Sequence, residues 1–239
     1  IEYVPEALRR GAVGIVSVRD VDLPRETAAL RVSDAYRAAA LLAECEAGRP
    51  ADTMNLLGIT GTNGKTTCAY LLRDMLRADG RRTGMVGTVC YDVGIRVIPA
   101  ERTTPTPFVL QEVLLEMVEN QCAWAVLEMS SHALVQYRTG SAAFTAALFT
   151  NLTGDHLDYH QSMERYYQAK TILFNQLLAD KGATAVVNLD DPYGRRLAEE
   201  TRKRKQTVVV TYGEHPDADV KWRHVDMRLD GTSFELDIG

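Results

Sequence analysis

Residues 58–67 read GITGTNGKTT, between an apolar run (Met54-Asn55-Leu56-Leu57) and a helix-like one (Cys68-Ala69-Tyr70-Leu71-Leu72). Strand, Gly-Lys-Thr loop and helix, in that order, are what a nucleotide triphosphate site requires. Glycines let backbone N–H groups turn inward around phosphate oxygens, and the helix start adds the positive end of its dipole. Lys65 can reach the outer phosphates, and the Thr66 hydroxyl suits a Mg²⁺ ion. The strict phosphate-loop spacing asks for Gly at position 59, where Ile59 stands. The pattern is therefore the narrower Thr-Gly-Thr-Asn-Gly-Lys-Thr-Thr.

Four further segments carry candidate chemistry. Glu128 closes the apolar run Trp124-Ala125-Val126-Leu127 and precedes Met129-Ser130-Ser131-His132. It reads either as a second anchor for Mg²⁺ or as an exposed acid beside a serine helix cap. The stretch Thr150–His160 holds Asp155, His156, Asp158 and His160. Those side chains suit a metal, a phosphate or a hydrogen-bonded turn, and their spacing does not select zinc. Lys170 falls within a helical stripe through Tyr166, Leu173, Phe174 and Leu177, opposite Glu164, Gln168, Thr171 and Asn175. An ammonium placed there must snorkel, pair with an anion or lose its charge. Arg102-Thr103-Thr104-Pro105-Thr106-Pro107 forms a polar lip stiffened by two prolines, readable also as a plain capping turn.

The elements that must position these residues alternate. Strands are expected at 12–18, 54–60, 84–89, 124–129, 146–151, 183–188 and 207–212. Helices are expected at 67–78, 107–120, 162–178 and 192–203. Continuous apolar strands separated by helices predict a mostly parallel sheet covered on both faces, with ligands beyond the strands' carboxyl ends. Alternation in 221–229 and 233–238 around Asp230-Gly231 predicts a terminal hairpin. A polar, turn-rich stretch over 46–53 places a boundary near residue 50.

Taken in order, TGTNGKTT, TTPTP, EMSSHALVQYR, FTNLTGDHLDYH and YYQAKTILF resemble the motifs of the Mur ligase family, within its branch that adds a diamino acid to a UDP-N-acetylmuramoyl dipeptide. The resemblance covers the chain from about Ala7 onward. It implies an α/β central ATP-binding domain over 51–239, preceded over 1–50 by the last part of a UDP-binding domain. A C-terminal amino-acid-binding domain would lie outside this chain. The implied reaction is ATP-driven amide formation through an acyl phosphate, with meso-diaminopimelate or L-lysine as the incoming residue.

By the same resemblance, Gly61, Thr62, Asn63, Gly64, Lys65, Thr66, Thr67 and Asn151 would bind ATP. Thr66, Glu128, His156 and Lys170 as a carbamate would hold Mg²⁺. Lys65, Glu128, His156 and Lys170 would be catalytic. Thr103, Thr104, Ser130, Gln136 and Arg138 would contact the UDP-N-acetylmuramoyl dipeptide. Arg102 and Gly154 carry no expected role. The alternatives are another ligase of the fold, such as a folylpolyglutamate synthetase, or a nucleotide-binding module without chemistry. The His-Leu-Asp-Tyr-His segment and the Thr-Thr-Pro lip argue against the first, and Lys65, Glu128, His156 and Lys170 together against the second.

Bulk composition is consistent with this. The chain has 239 residues, 46% hydrophobic and 25% charged, enough for a large α/β core and a small appendage. A net charge of −5 supplies no electrostatic reason for a nucleic-acid or anionic-membrane partner. The basic run Arg202-Lys203-Arg204-Lys205 reads as a solvated helix end. Cys45, Cys68, Cys90 and Cys122 are scattered, which suits a reducing compartment and neither zinc nor a disulfide framework. The expectation is a cytoplasmic monomer. The chain opens at Ile1 with no start-like feature and is expected to be a piece of a longer protein.

Overall fold

The computed structural model describes residues 2–179 and 182–239. Its first part holds α1 (Val4–Arg9), β1 (Gly14–Ser17), β2 (Ala28–Arg31) and α2 (Ala35–Glu46). The strands β1 and β2 pair in parallel as a small sheet of their own. Asp34 caps α2 by accepting from the N–H groups of Tyr36 and Arg37. Within the turn-rich stretch at the expected boundary, Pro50–Thr53 forms a 3₁₀ turn with Pro50 and Ala51 buried. Glu44, also buried, accepts from the Ser141 N–H and hydroxyl and so ties α2 to the main body.

From there the chain runs β3 (Asn55–Thr60), α3 (Lys65–Ala78), β4 (Thr83–Val86), β5 (Cys90–Asp92), β6 (Val97–Pro99), α4 (Pro107–Glu119), β7 (Trp124–Glu128), α5 (Ser131–Val135), β8 (Phe144–Phe149), α6 (Leu157–His160), α7 (Met163–Ile172), β9 (Thr184–Asn188), α8 (Pro192–Arg202), β10 (Val208–Gly213), β11 (Val220–Arg228) and β12 (Gly231–Ile238). One sheet of ten strands has the order β12-β11-β10-β9-β8-β3-β7-β4-β5-β6. Its centre, β10 to β4, is parallel throughout. The pairs β4–β5, β5–β6 and β11–β12 are antiparallel, the last being the expected hairpin.

The core lies on the faces of this sheet. Leu56, Leu127, Phe144 and Phe149 from the strands pack with Leu110, Leu114 and Met117 of α4 and with Tyr166, Leu173 and Phe174. Ile59, Met85 and Val126 pack under α3. The helix expected over 162–178 changes pitch: α7 ends at Ile172, and Leu173–Leu177 continues as a π turn. Thr171, expected on the open face, is buried.

The order of strands fixes where a ligand can sit. From β3 the chain moves outward to β4, β5 and β6, returns to insert β7, and then builds β8, β9 and β10 on the opposite side. The switch therefore falls at β3, between β7 and β8, and a crevice opens beyond their carboxyl ends.

Candidate active site at the switch point

Three strand ends deliver the site. After β3 the loop 61–64 leads into α3, and two glycines shape it. Gly64 has φ 84°, a left-handed conformation, at the helix cap. Gly61 has φ 147°, and a Cβ on it would lie 1.9 Å from Thr150 Oγ1. The loop rests on the end of β8. Thr62 donates its N–H to the Asn151 carbonyl at 2.8 Å, and Asn63 donates its own to Asn151 Oδ1 at 3.0 Å. Thr150 Oγ1 and Asn151 Nδ2 both donate to the Asn63 carbonyl, at 2.6 and 3.2 Å.

Glu128, at the end of β7, is fully buried (0% exposed) beside the loop. Its carboxylate accepts from Thr66 Oγ1 at 2.9 Å, from the Thr88 N–H at 3.0 Å and from Thr88 Oγ1 at 3.0 Å. Among the described residues no cation touches this buried carboxylate, which is held by three neutral donors. Gly87 allows the approach, since a Cβ there would lie 2.2 Å from Glu128 Oε1.

Two lysines converge on one carbonyl. Lys65 Nζ donates to Gly61 O at 3.0 Å and to Thr62 O at 2.9 Å. Lys170 Nζ donates to Gly61 O at 2.8 Å and lies 4.5 Å from the centre of the Tyr166 ring. Lys170 is only 2% exposed, so it does not snorkel. Burial, and secondarily the charge of Lys65, push its pKa down to about 7 from the ordinary 10.5. Burial also lowers the Lys65 pKa, against the opposing pull of Glu128 and Asp155.

The lip forms a third group. Thr104 Oγ1 donates to the Glu128 carbonyl at 2.7 Å and accepts from the Ser130 N–H at 3.2 Å. Thr103 Oγ1 lies 3.1 Å from Thr88 Oγ1 and, since the Thr88 proton is on Glu128, donates to it. Arg138, 9% exposed, donates to Thr104 O at 2.5 Å and through Nε and Nη2 to Gln136 Oε1. Burial lowers its pKa, as does nearby Arg102. All its hydrogen-bonded partners are neutral, which leaves the guanidinium's charge available to an anion. An open cleft of about 310 Å³ borders this lip at Tyr91, Arg102, Pro105 and Val109.

The sequence-derived set is thus brought together unevenly. Thr66 meets Glu128 directly, Lys65 meets Lys170 through Gly61 O, and Thr104, Ser130, Gln136 and Arg138 interlock. Thr67 is exposed on α3. His156 sits with φ 52°, its ring half exposed, 3.4 Å from Asp155 and edge-on to the rings of His132 and Tyr166. Among the described residues no hydrogen bond joins His156 or Lys170 to Glu128, and no group of three or more His, Cys, Asp or Glu is arranged to hold a metal.

Sequence reasoning missed two participants, Thr88 and Asp191, and named a third, His160, without its partner. Thr88 was placed inside a strand over 84–89, whereas β4 stops at Val86 and delivers Thr88 to the site edge. His160, 5% exposed, shares a 2.9 Å hydrogen bond between Nε2 and Ser131 Oγ; burial lowers its pKa, with His132 adding to the effect. Asp191 carries a visible helix-start signal in Asp-Pro, but its second contact, described below, is tertiary.

A glycine-bearing loop between strand and helix, at the switch point of a mainly parallel sheet, defines an α/β domain of the phosphate-loop type. Residues 59–238 match the Mur ligase middle domain. The chain belongs to the Mur ligase family. It is 40% identical over 241 residues to the UDP-N-acetylmuramoyl-L-alanyl-D-glutamate–2,6-diaminopimelate ligase of Geobacillus kaustophilus, covering 98% of this chain and 48% of that protein. It is 39% identical over 239 residues to the ligase of the same name from Geobacter metallireducens, covering 98% and 46%. The chain therefore spans about half the length of these curated relatives. A solved structure of a ligase of that name superposes with a TM-score of 0.81 at 27% identity, over 98% of this chain and 47% of the other. The folylpolyglutamate synthase of Mycobacterium tuberculosis shares the fold, with a TM-score of 0.67 at 16% identity over 84% of this chain and 51% of the other.

Proposed function

We propose that this chain is the ATP-activating part of a ligase that joins 2,6-diaminopimelate to UDP-N-acetylmuramoyl-L-alanyl-D-glutamate. The observation that carries this reading is the 2.9 Å contact between Thr66 Oγ1 and the buried Glu128 carboxylate, directly beside the loop that opens α3. The names of the relatives supply the substrate class.

In the reaction, a carboxylate oxygen of the dipeptide attacks the γ-phosphorus of ATP, and ADP leaves. The amine of the incoming amino acid then attacks the acyl phosphate, loses a proton and expels inorganic phosphate. The chain's own residues meet the resulting crowding of anions. The Thr62 and Asn63 N–H groups are taken by Asn151, so it is the N–H groups of Gly64 and the first turn of α3 that would face phosphate oxygens, and Lys65 exchanges its weak carbonyl acceptors for them. Arg138 holds an anionic group of the dipeptide in a fork, kept in place by Gln136 and Thr104.

Thr66 and Glu128 present hard oxygen donors with no soft ligand beside them, a donor set that fits Mg²⁺. Magnesium, when bound, would offset charge on the phosphoryl oxygens. His156 would contribute from the other rim. Lys170, with its pKa lowered to about 7, carries an amine whose neutral form adds to CO₂ with release of a proton. The resulting carbamate is an anion suited to a cationic neighbour.

Titration of MgATP into the protein should show binding that Glu128→Gln weakens. In the full-length protein that carries this chain, adding UDP-N-acetylmuramoyl-L-alanyl-D-glutamate and 2,6-diaminopimelate should release phosphate and give the condensed product by mass spectrometry. A protein that binds no MgATP, or that leaves the dipeptide unextended, overturns the reading.

A further inference from the structure

The turn after β9 contains a carboxylate that serves two elements at once. Asp191 Oδ1 accepts from the N–H groups of Tyr193 (2.8 Å) and Gly194 (3.1 Å), which caps α8. Its other oxygen, Oδ2, accepts from the Leu152 N–H at 2.9 Å, beyond the end of β8. Asn188, the last residue of β9, donates from Nδ2 to the Thr150 carbonyl at 2.8 Å. Residues 150–152 are thus held from below by Asn188 and Asp191. Residues 150 and 151 in turn hold Thr62 and Asn63 from below, through the four hydrogen bonds already described.

Neither level has slack. A Cβ on Gly61 would lie 1.9 Å from Thr150 Oγ1, and one on Gly194 would lie 1.9 Å from the Asn188 carbonyl oxygen. Leu152 is buried, so its N–H lacks ready access to water as a substitute acceptor. We infer that Asp191 is a positioning residue for nucleotide binding, which sets the phosphate loop through Leu152 and Asn151. This rests on the reading that the loop receives the phosphates of a nucleotide.

The role demands a carboxylate, not merely a cap. Asparagine can keep its single oxygen on the Tyr193 and Gly194 N–H groups, but its amide NH₂ then faces the Leu152 N–H, donor against donor. Turning the amide over restores Leu152 and loses both cap bonds. Asp191→Asn therefore separates the two functions, because the orientation with two cap bonds keeps the helix and frees the loop support.

The experiment measures MgATP affinity by calorimetry, amide hydrogen exchange at Leu152 and Thr62, and thermal stability, for wild type and Asp191→Asn. The expected result is MgATP binding weakened roughly tenfold, faster exchange at both amides, and a melting temperature lowered by only the few degrees that one unpaired buried N–H costs. If the Asn variant does not fold, Asp191→Ser carries the same expectation, since one hydroxyl can cap the helix without also reaching Leu152. Unchanged MgATP affinity in a folded variant overturns the inference. A wild type that binds no MgATP overturns the proposed function instead, and exchange at Leu152 and Thr62 then decides whether Asp191 holds the loop.

Discussion

Replacing Lys170 by methionine should stabilise the protein at neutral pH and flatten its response to pH. The ammonium is buried, with Gly61 O and the Tyr166 ring for company and no carboxylate in hydrogen-bond contact. Its pKa falls from the ordinary 10.5 to about 7. Between those values the unfolded chain binds a proton that the folded one releases, so stability rises with pH across that window. The penalty is fully present below pH 7 and gone above the unfolded value. Each tenfold loss of proton affinity is worth about 1.4 kcal/mol, which puts the full penalty on the order of 4 to 5 kcal/mol. About 2 kcal/mol of it should be relieved between pH 7 and pH 9. Methionine keeps the length and loses the charge, and replacing a buried ion by an apolar side chain often gains about 1–4 kcal/mol. Urea unfolding at several pH values, in chelator and without bicarbonate, gives the difference between the two proteins. That difference should favour Lys170→Met at pH 7 and shrink by about 2 kcal/mol towards pH 9. A difference that does not change with pH would refute the argument, because it would mean that the amine titrates alike in both states.

Gly87→Ala should cost MgATP affinity and about 1–3 kcal/mol of stability, since its methyl would lie 2.2 Å from Glu128 Oε1 and push the carboxylate off Thr66; wild-type affinity by calorimetry would dismiss the Glu128 cradle. Asp92→Ala should lower stability by about 3 kcal/mol, because buried Asp92 joins Arg73 (3.2 Å) and Arg77 (2.9 Å) of α3 to β5. A loss below about 1 kcal/mol in urea unfolding would show that those guanidinium groups are adequately solvated without it.

Much of the architecture was legible because burial on both faces writes itself as unbroken apolar runs. The strands β3, β7, β8, β9 and β10 lie within two or three residues of where such runs place them. The strands β5 and β6 have three residues each, too short for any period to show. The strand β2 is exposed along its whole length and carries no burial signal. Helix α2, uncalled despite its Asp34 cap, buries only Ala40, Ala43 and Glu44, so its pattern is faint. At the site, the Gly-Lys-Thr loop pointed to the strand–helix junction, while the stripe position of Lys170 left snorkelling and burial both open. The roles of Thr88 and Asp191, and the partner of His160, were not visible, since each contact spans about 30 to 40 positions. Contacts of that kind come from strand order, which no local pattern encodes.

The place of β3 in the sheet also bears on how the protein is made. Its two neighbours are β7 and β8, whose pairing residues begin at Trp124 and Phe144. The strand synthesised next after it, β4, stands one position further out, on the far side of β7. While a ribosome is still adding residues 61–123, β3 has neither native partner, and β3 and β4 cannot close on each other without taking the slot that belongs to β7. The nascent segment must therefore keep two apolar edges open until that strand arrives, a delay inherent in non-local parallel pairing. The loop after β3 gains its support only once Thr150, Asn151 and Asp191 have emerged, so the part of the chain that carries the most recognisable motif is among the last to acquire its shape.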